Sequence, residues 1–172
     1  MAQKLPEVWL RGPVENIPPL LHPVAHALLQ AREEVNNLLK DFPNEKLWLK
    51  PAGAASVGFH LQHLHGVLDR LFSYAVGRQL TTEQLSALKA EGDPHQTKAT
   101  TAELVQAFNE QVDKALQQLQ QTDEQTLSEP RTVGRAQLPS TVMGLLFHAA
   151  EHTMRHLGQL IVTVKVVLQQ QP

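Results

Sequence analysis

The sequence predicts an all-α fold, a four-helix bundle with a short extra helix after the second long one. Apolar residues recur at three- and four-residue spacings in four long segments. β-Branched residues are scattered, and no period-two run lasts. Proline, glycine and polar clusters fall between the periodic segments. At 172 residues, one domain spanning 1–172 is expected, large enough to bury a core without disulfides or structural metals.

Residues 1–17 read as an irregular lead punctuated by Pro6 and Pro13, with Trp9 and Leu10 expected to tuck against the body. Helix one is expected from Pro18 or Pro19 to about Asp41, with Leu21, Val24, Leu28, Val35 and Leu38 or Leu39 as its apolar stripe; Pro43 ends it. FPNEKLWLKPAGAA is a connection. Ser56 is the expected N-cap of a second helix through about Gly77, with Val57, Leu61, Leu64, Leu68, Leu71 and Ala75 on one face. Thr81 or Thr82 opens a short helix, TEQLSALKA, that stops at the turn-like EGDP. Thr100 or Thr101, with Glu103, starts a third long helix carrying Leu104, Phe108, Val112, Ala115 and Leu119 to about Gln121. A loop of about eighteen residues follows, with Pro130, Gly134 and Pro139, longer than the roughly 12 to 15 residues usual for unstructured connections. The last helix is expected from about Ser140 to Leu168.

Composition narrows the function. Fifteen Lys and Arg nearly balance seventeen Asp and Glu, the net charge is -2, and no run of like charges occurs, which gives no support for nucleic-acid or anionic-membrane binding. No cysteine is present, excluding disulfides, zinc-thiolate sites and a protein-borne thiol nucleophile. The beginning MAQKLPEVWLRG has no basic segment leading into an apolar run, and no stretch approaches 18 consecutive apolar residues, so a cytoplasmic protein is expected. Few aromatic residues argue against a stacking pocket for a flat cofactor. Nine histidines stand out, because six of them sit in two short clusters: His60, His63 and His65, then His148, His152 and His156.

On the last helix, with Leu145 at 0°, successive turns put Ala149 at about 40°, His152 at about 340°, His156 at about 20° and Leu160 at about 60°. His152 and His156 thus lie within the apolar face, one above the other. His148, at about 300°, falls at the edge as a rim residue. Burying two imidazoles without partners would cost roughly 1 to 3 kcal/mol each, so a metal or a shared polar ligand is the expected partner of His152 and His156. The i, i+4 motif of zinc proteases places a glutamate after its first histidine; here Thr153 follows His152, so that class is excluded. On the second helix His60 flanks the apolar stripe, His63 lies further round near Val67, and His65 is on the other flank. Periodicity alone favours His60 over His63 as the inward group. Glu151 with Arg155 reads as a surface i, i+4 pair, and Asp69 with Arg70 as a solvated or interfacial pair.

The run EHTMRHLGQL resembles the C-terminal signature HxxxHxGQ of the DinB/YfiT-like superfamily of metal-dependent enzymes, carried here by His152, His156, Gly158 and Gln159. WLKPAGAASVGFHLQHLHGVLDR is similar to that family as well, with Trp48 and Pro51 ahead of a helix and His63 at its histidine position. The resemblance extends from about residue 20 to the end. It implies an up-down-down-up four-helix bundle, a divalent transition metal, nickel or zinc, held by His63, His152 and His156, and a homodimer. It moves the expected ligand on the second helix from His60 to His63. Three imidazoles leave open positions on a metal, as a catalytic site needs. Some relatives use such a metal to activate a low-molecular-weight thiol, which here would be a small-molecule cosubstrate. Gln159 is expected either to hydrogen-bond a ligating imidazole or a metal-held water, or to make polar contacts at the helix interface. His60, His65 and His148 stay open as a fourth ligand or as groups orienting a water. Gly158, inside a helix, costs about 1 kcal/mol against alanine, so the close approach of another element is expected there.

The leading expectation is therefore a metal-dependent thiol transferase or hydrolase. The alternative is a noncatalytic metal- or ligand-binding module in a stress response. DNA binding lacks its basic stripe.

Overall fold

The computed structural model describes residues 5–169, so the first four residues of the predicted lead lie outside it. Four long helices form the bundle: α1 (His22–Leu39), α2 (Val57–Ala75), α4 (Thr101–Gln120) and α5 (Val142–Gln169); α3 (Thr82–Ala90) is the short extra helix. α2 packs between α4 and α5, and α1 closes the other side of the square against the same two helices.

The caps are the ones the sequence encodes. Ser56 Oγ accepts from Phe59 N at 3.1 Å. Thr81 and Thr100 each close a capping box, with Gln84 and Glu103 reaching back to the cap backbone. The predicted stripes of α2 and α4 are all buried, and in α1 it is Leu39, not Leu38, that joins the core. α1 begins later than expected: Pro19–Leu21 forms a single 3₁₀ turn, and the α-helix starts at His22.

Two expectations need correction. Trp9 and Leu10 do not tuck in; they are 60% and 56% exposed, while Val8 is buried and donates its backbone N–H to Gln30 Oε1 at 2.9 Å. A one-residue shift in a 3₁₀ turn is enough to exchange the inward residue. The long loop before α5 contains an antiparallel hairpin, β1 (Pro130–Val133) with β2 (Leu138–Thr141). Four-residue strands, one containing Pro139, carry too short an alternation to register as strand. The hairpin is fastened to α2, where Arg131 Nε donates to the carbonyl of Ala75 at 2.8 Å. β2 runs directly into α5, which starts at Val142, within two residues of the expected position.

Trp48, in the connection before α2, lies flat over Gly58: a Cβ there would come within 2.5 to 2.7 Å of the indole ring. The small residue lets the connection lie against the first turn of α2, just before the histidines. Among the described residues, no helix is long and apolar enough to cross a membrane.

Candidate metal centre

α2 and α5 lie side by side, and each brings two histidines to their seam. His63 Nε2 and His152 Nε2 are 2.9 Å apart. The His156 ring stands 4.3 Å from that of His63 and 4.6 Å from that of His152, centroid to centroid. His63, His152 and His156 each offer one nitrogen such that all three lie within 4.8 Å of one another. The i, i+4 spacing on α5 stacks two of these imidazoles, and the α2 contact supplies the third.

A carboxylate fixes the direction of the His63 ring. Glu91, at the C-terminus of α3, has Oε2 2.7 Å from His63 Nδ1 and Oε1 2.6 Å from Arg70 Nη1. An ionised carboxylate only accepts, so Nδ1 carries the proton and Nε2 presents its lone pair to the cluster. Burial pushes the Glu91 carboxyl up, but the hydrogen bonds and charges of His63 and Arg70 outweigh it and hold the group below its ordinary value. Phe59 stacks on the other side of His63, centroids 5.4 Å apart and planes 11° from parallel.

The donor set fits a divalent ion. Burial pushes His156 down to about 4, with the neighbouring His63, His152 and His60 adding to the shift, and it lowers His152 in the same way. Neutral imidazoles are the form that binds metal. Without an ion the cluster leaves a deficit. If His152 donates from Nε2 to the His63 lone pair, its Nδ1 is buried with no donor; if it holds its proton on Nδ1, that N–H is buried without an acceptor and two lone pairs face each other. A cation held by His63 and His152 would take up the facing lone pairs, while the His152 Nδ1–H would stay without an acceptor.

His60 is 2% exposed, and its Nδ1 lies 3.3 Å from His156 Nδ1. It packs against His156 from behind; where His156 Nδ1–H donates to His60 Nδ1, the His156 Nε2 lone pair is left for the cluster. Periodicity placed His60 inward correctly, yet its neighbour on the far side is a histidine rather than the centre of the cluster. His148 is exposed and turns to Glu151, Nδ1 to Oε1 2.6 Å, in agreement with a rim position. His148, Glu151 and His152 also come within metal-ligand range of one another, but Glu151 is already engaged by Arg155 at 2.7 Å. Gln159 is exposed, and its side chain makes no hydrogen bond among the described residues. His65 faces a different cavity of about 270 Å³, between α2, α3 and α4.

Asp69 and Arg70 are not a pair. Arg70 is buried against Glu91, while Asp69 Oδ2 accepts from Gln84 Nε2 at 2.8 Å. Glu91 is the residue that sequence reasoning missed. It stands in the EGDP turn, where a carboxylate is ordinary.

The buried histidines make stability depend on pH. Burial, then the charge of His63, pushes His60 down to about 4 from an ordinary value of 6.5. Between those values the unfolded chain binds the proton and the folded chain does not, so the contribution is complete above pH 6.5 and is lost as the pH falls toward 4. For His60 alone the loss is about 3 kcal/mol. Urea unfolding of chelator-treated protein at descending pH is expected to show a falling midpoint across this window; a flat midpoint would mean that His60 is not held neutral.

A family model of the DinB superfamily matches residues 27–160, which include α2 and every histidine of the cluster on α5. No curated protein matches the chain. The match covers most of the sequence and runs through both helices whose histidines meet, and on that extent the chain belongs to the DinB superfamily.

Proposed function

We propose that the protein is a metal-dependent enzyme in which His63, His152 and His156 hold a divalent transition metal, nickel or zinc, at the seam of α2 and α5. The observation that carries this reading is the approach of three ring nitrogens to within 4.8 Å, with His63 aimed by Glu91. When bound, such an ion lowers the pKa of a thiol or water beside it, supplying a nucleophile at neutral pH. Glu91 holds the His63 proton on Nδ1, His60 holds the His156 ring, and Phe59 covers one face of His63. The chain has no cysteine, so a thiol would enter as a low-molecular-weight cosubstrate. The reaction class is thiol transfer or hydrolysis on a small molecule, carried out by a cytoplasmic homodimer.

The test is metal content by inductively coupled plasma mass spectrometry on untagged protein, beside a His152→Ala/His156→Ala variant prepared identically. One equivalent of transition metal is expected in the wild type and none in the variant. No metal in either, after reconstitution at a pH of about 7.5 to 8 where imidazoles are neutral, would overturn the reading and leave a noncatalytic module.

A further inference from the structure

The close approach expected at Gly158 is absent, since a Cβ there would meet nothing within 4 Å. At Gly66, in α2, a side chain does close over a helical glycine. The Arg70 guanidinium folds back across it, with Nη1 2.5 Å from where a Cβ would stand. Arg70 and Glu91 there form one wall of the cavity of about 270 Å³ between α2, α3 and α4. None of His63, His152 and His156 lines it, so the cavity lies behind the Glu91 carboxylate, apart from the histidine cluster.

The wall carries hydrogen-bonding groups that the chain leaves unused. Arg70, whose side chain is only 10% exposed, gives one N–H to Glu91, and its Nε and Nη2 have no acceptor among the described residues. Gln62 Oε1 accepts from Gly92 N at 2.7 Å, while Nε2 has no acceptor among the described residues. Asp69 Oδ2 accepts from Gln84, and Oδ1 takes no hydrogen bond among them. Donors and acceptor stand at neighbouring stations, the guanidinium over Gly66 and Asp69 three residues further along the same face. Much of the remaining lining is small and aliphatic: Leu61, then Ala87 and Ala90 of α3, Leu104 and Ala107 of α4.

We infer that this cavity binds a small aliphatic α-amino acid, with its carboxylate on Arg70 and Gln62, its ammonium on Asp69 and its side chain against the alanines of α3 and α4. The charges select a zwitterion. Arg70 brings one positive charge to the lining, and Glu91 and Asp69 bring two negative ones. A simple carboxylate would add a third negative charge, and a simple amine would leave the buried guanidinium donors without an acceptor. The volume lies just below the roughly 300 to 1,000 Å³ of pockets for drug-sized ligands, which limits the occupant to a small molecule.

The inference does not depend on the metal. Nuclear magnetic resonance titration of the full, isotope-labelled and chelator-treated chain with L-valine, L-leucine and L-methionine in turn is the measurement. At least one is expected to give saturable amide shifts in α2 and α3 with a Kd of about 1 mM or tighter. The same amino acid without its amino group, or without its carboxylate, is expected to bind roughly tenfold more weakly or worse. Asp69→Asn is expected to weaken binding to a similar degree, and Ala107→Phe, which fills the cavity, to abolish it, with thermal melts showing that both variants fold. No saturable shift with any of the three amino acids up to about 10 mM would overturn the site. Binding that survives both variants would place the ligand elsewhere on the chain, and a bare acid or amine that binds as tightly as the amino acid would rule out recognition of a zwitterion.

Discussion

Truncating Glu91 to alanine is expected to cost about 3 to 5 kcal/mol of stability and to weaken divalent metal binding by the folded protein about 10- to 100-fold. Both effects follow from one carboxylate with two partners. The Arg70 side chain is only 10% exposed, and its Nη1 rests 2.6 Å from Glu91 Oε1; removing the carboxylate leaves a buried guanidinium without its counter-charge. The other oxygen, 2.7 Å from His63 Nδ1, keeps the proton on the far side of the imidazole from the cluster. Without it the ring is free to exchange tautomers and rotate.

Two further variants separate the structural cost from the effect on the metal. Arg70→Met with Glu91→Leu removes both charges and fills the space, so most of the stability should return. Metal affinity should stay low, because nothing then accepts the His63 proton. Glu91→Gln keeps one acceptor oxygen and is expected to fall between. Urea unfolding reads the first quantity, and competition of zinc against a chromophoric chelator reads the second. Wild-type zinc affinity in a folded Glu91→Ala protein would remove the carboxylate from any part in aiming His63.

How far these features can be read from sequence depends on whether they are local. The stripes of α2 and α4 were legible because each helix buries one face, and that face repeats every three to four residues. Ser56, Thr81 and Thr100 were legible because a cap and its partner lie within one turn. The i, i+4 pair on α5 belongs with these. The hairpin before α5 was not legible, since its strands are short and its fastening, Arg131 to Ala75, spans more than fifty residues. Glu91 has the same character: it reaches His63 only because α3 folds back along α2, and nothing in EGDP encodes that path. Arg70 stands next to Asp69 in the chain, whereas its partner Glu91 lies across a turn that only the folded chain supplies. His60 and His63 show a different limit. Periodicity ranks residues by how far they point inward, and the more buried His60 ranks first; the cluster forms at the seam, where half-buried His63 meets α5.

Gly66→Ala is expected to destabilise the protein, against the sign that helix propensity alone assigns. Gly66 is buried in the middle of α2, where alanine should gain about 1 kcal/mol. A Cβ at this position, however, would lie 2.5 Å from both Arg70 Nη1 and Glu91 Oε1. The ion pair occupies the space that any side chain would need. Both contacting atoms end flexible side chains, but neither is free to give way: Glu91 is tied to His63 on its other oxygen, and Arg70 has almost no exposed surface to retreat to. Displacing the pair sacrifices a large part of the 3 to 5 kcal/mol or so that a broken buried pair costs, which exceeds the propensity gain severalfold. The expected net loss is about 2 kcal/mol, accompanied by weaker zinc binding because the Glu91 carboxylate leaves His63. A double-mutant cycle identifies the route. If the methyl acts by pushing Glu91 aside, Gly66→Ala should cost little more, or even stabilise, once Arg70→Met and Glu91→Leu have removed the pair. Equal destabilisation in both backgrounds would place the clash elsewhere, and a Gly66→Ala protein more stable than wild type with unchanged zinc affinity would show that the pair can shift without cost.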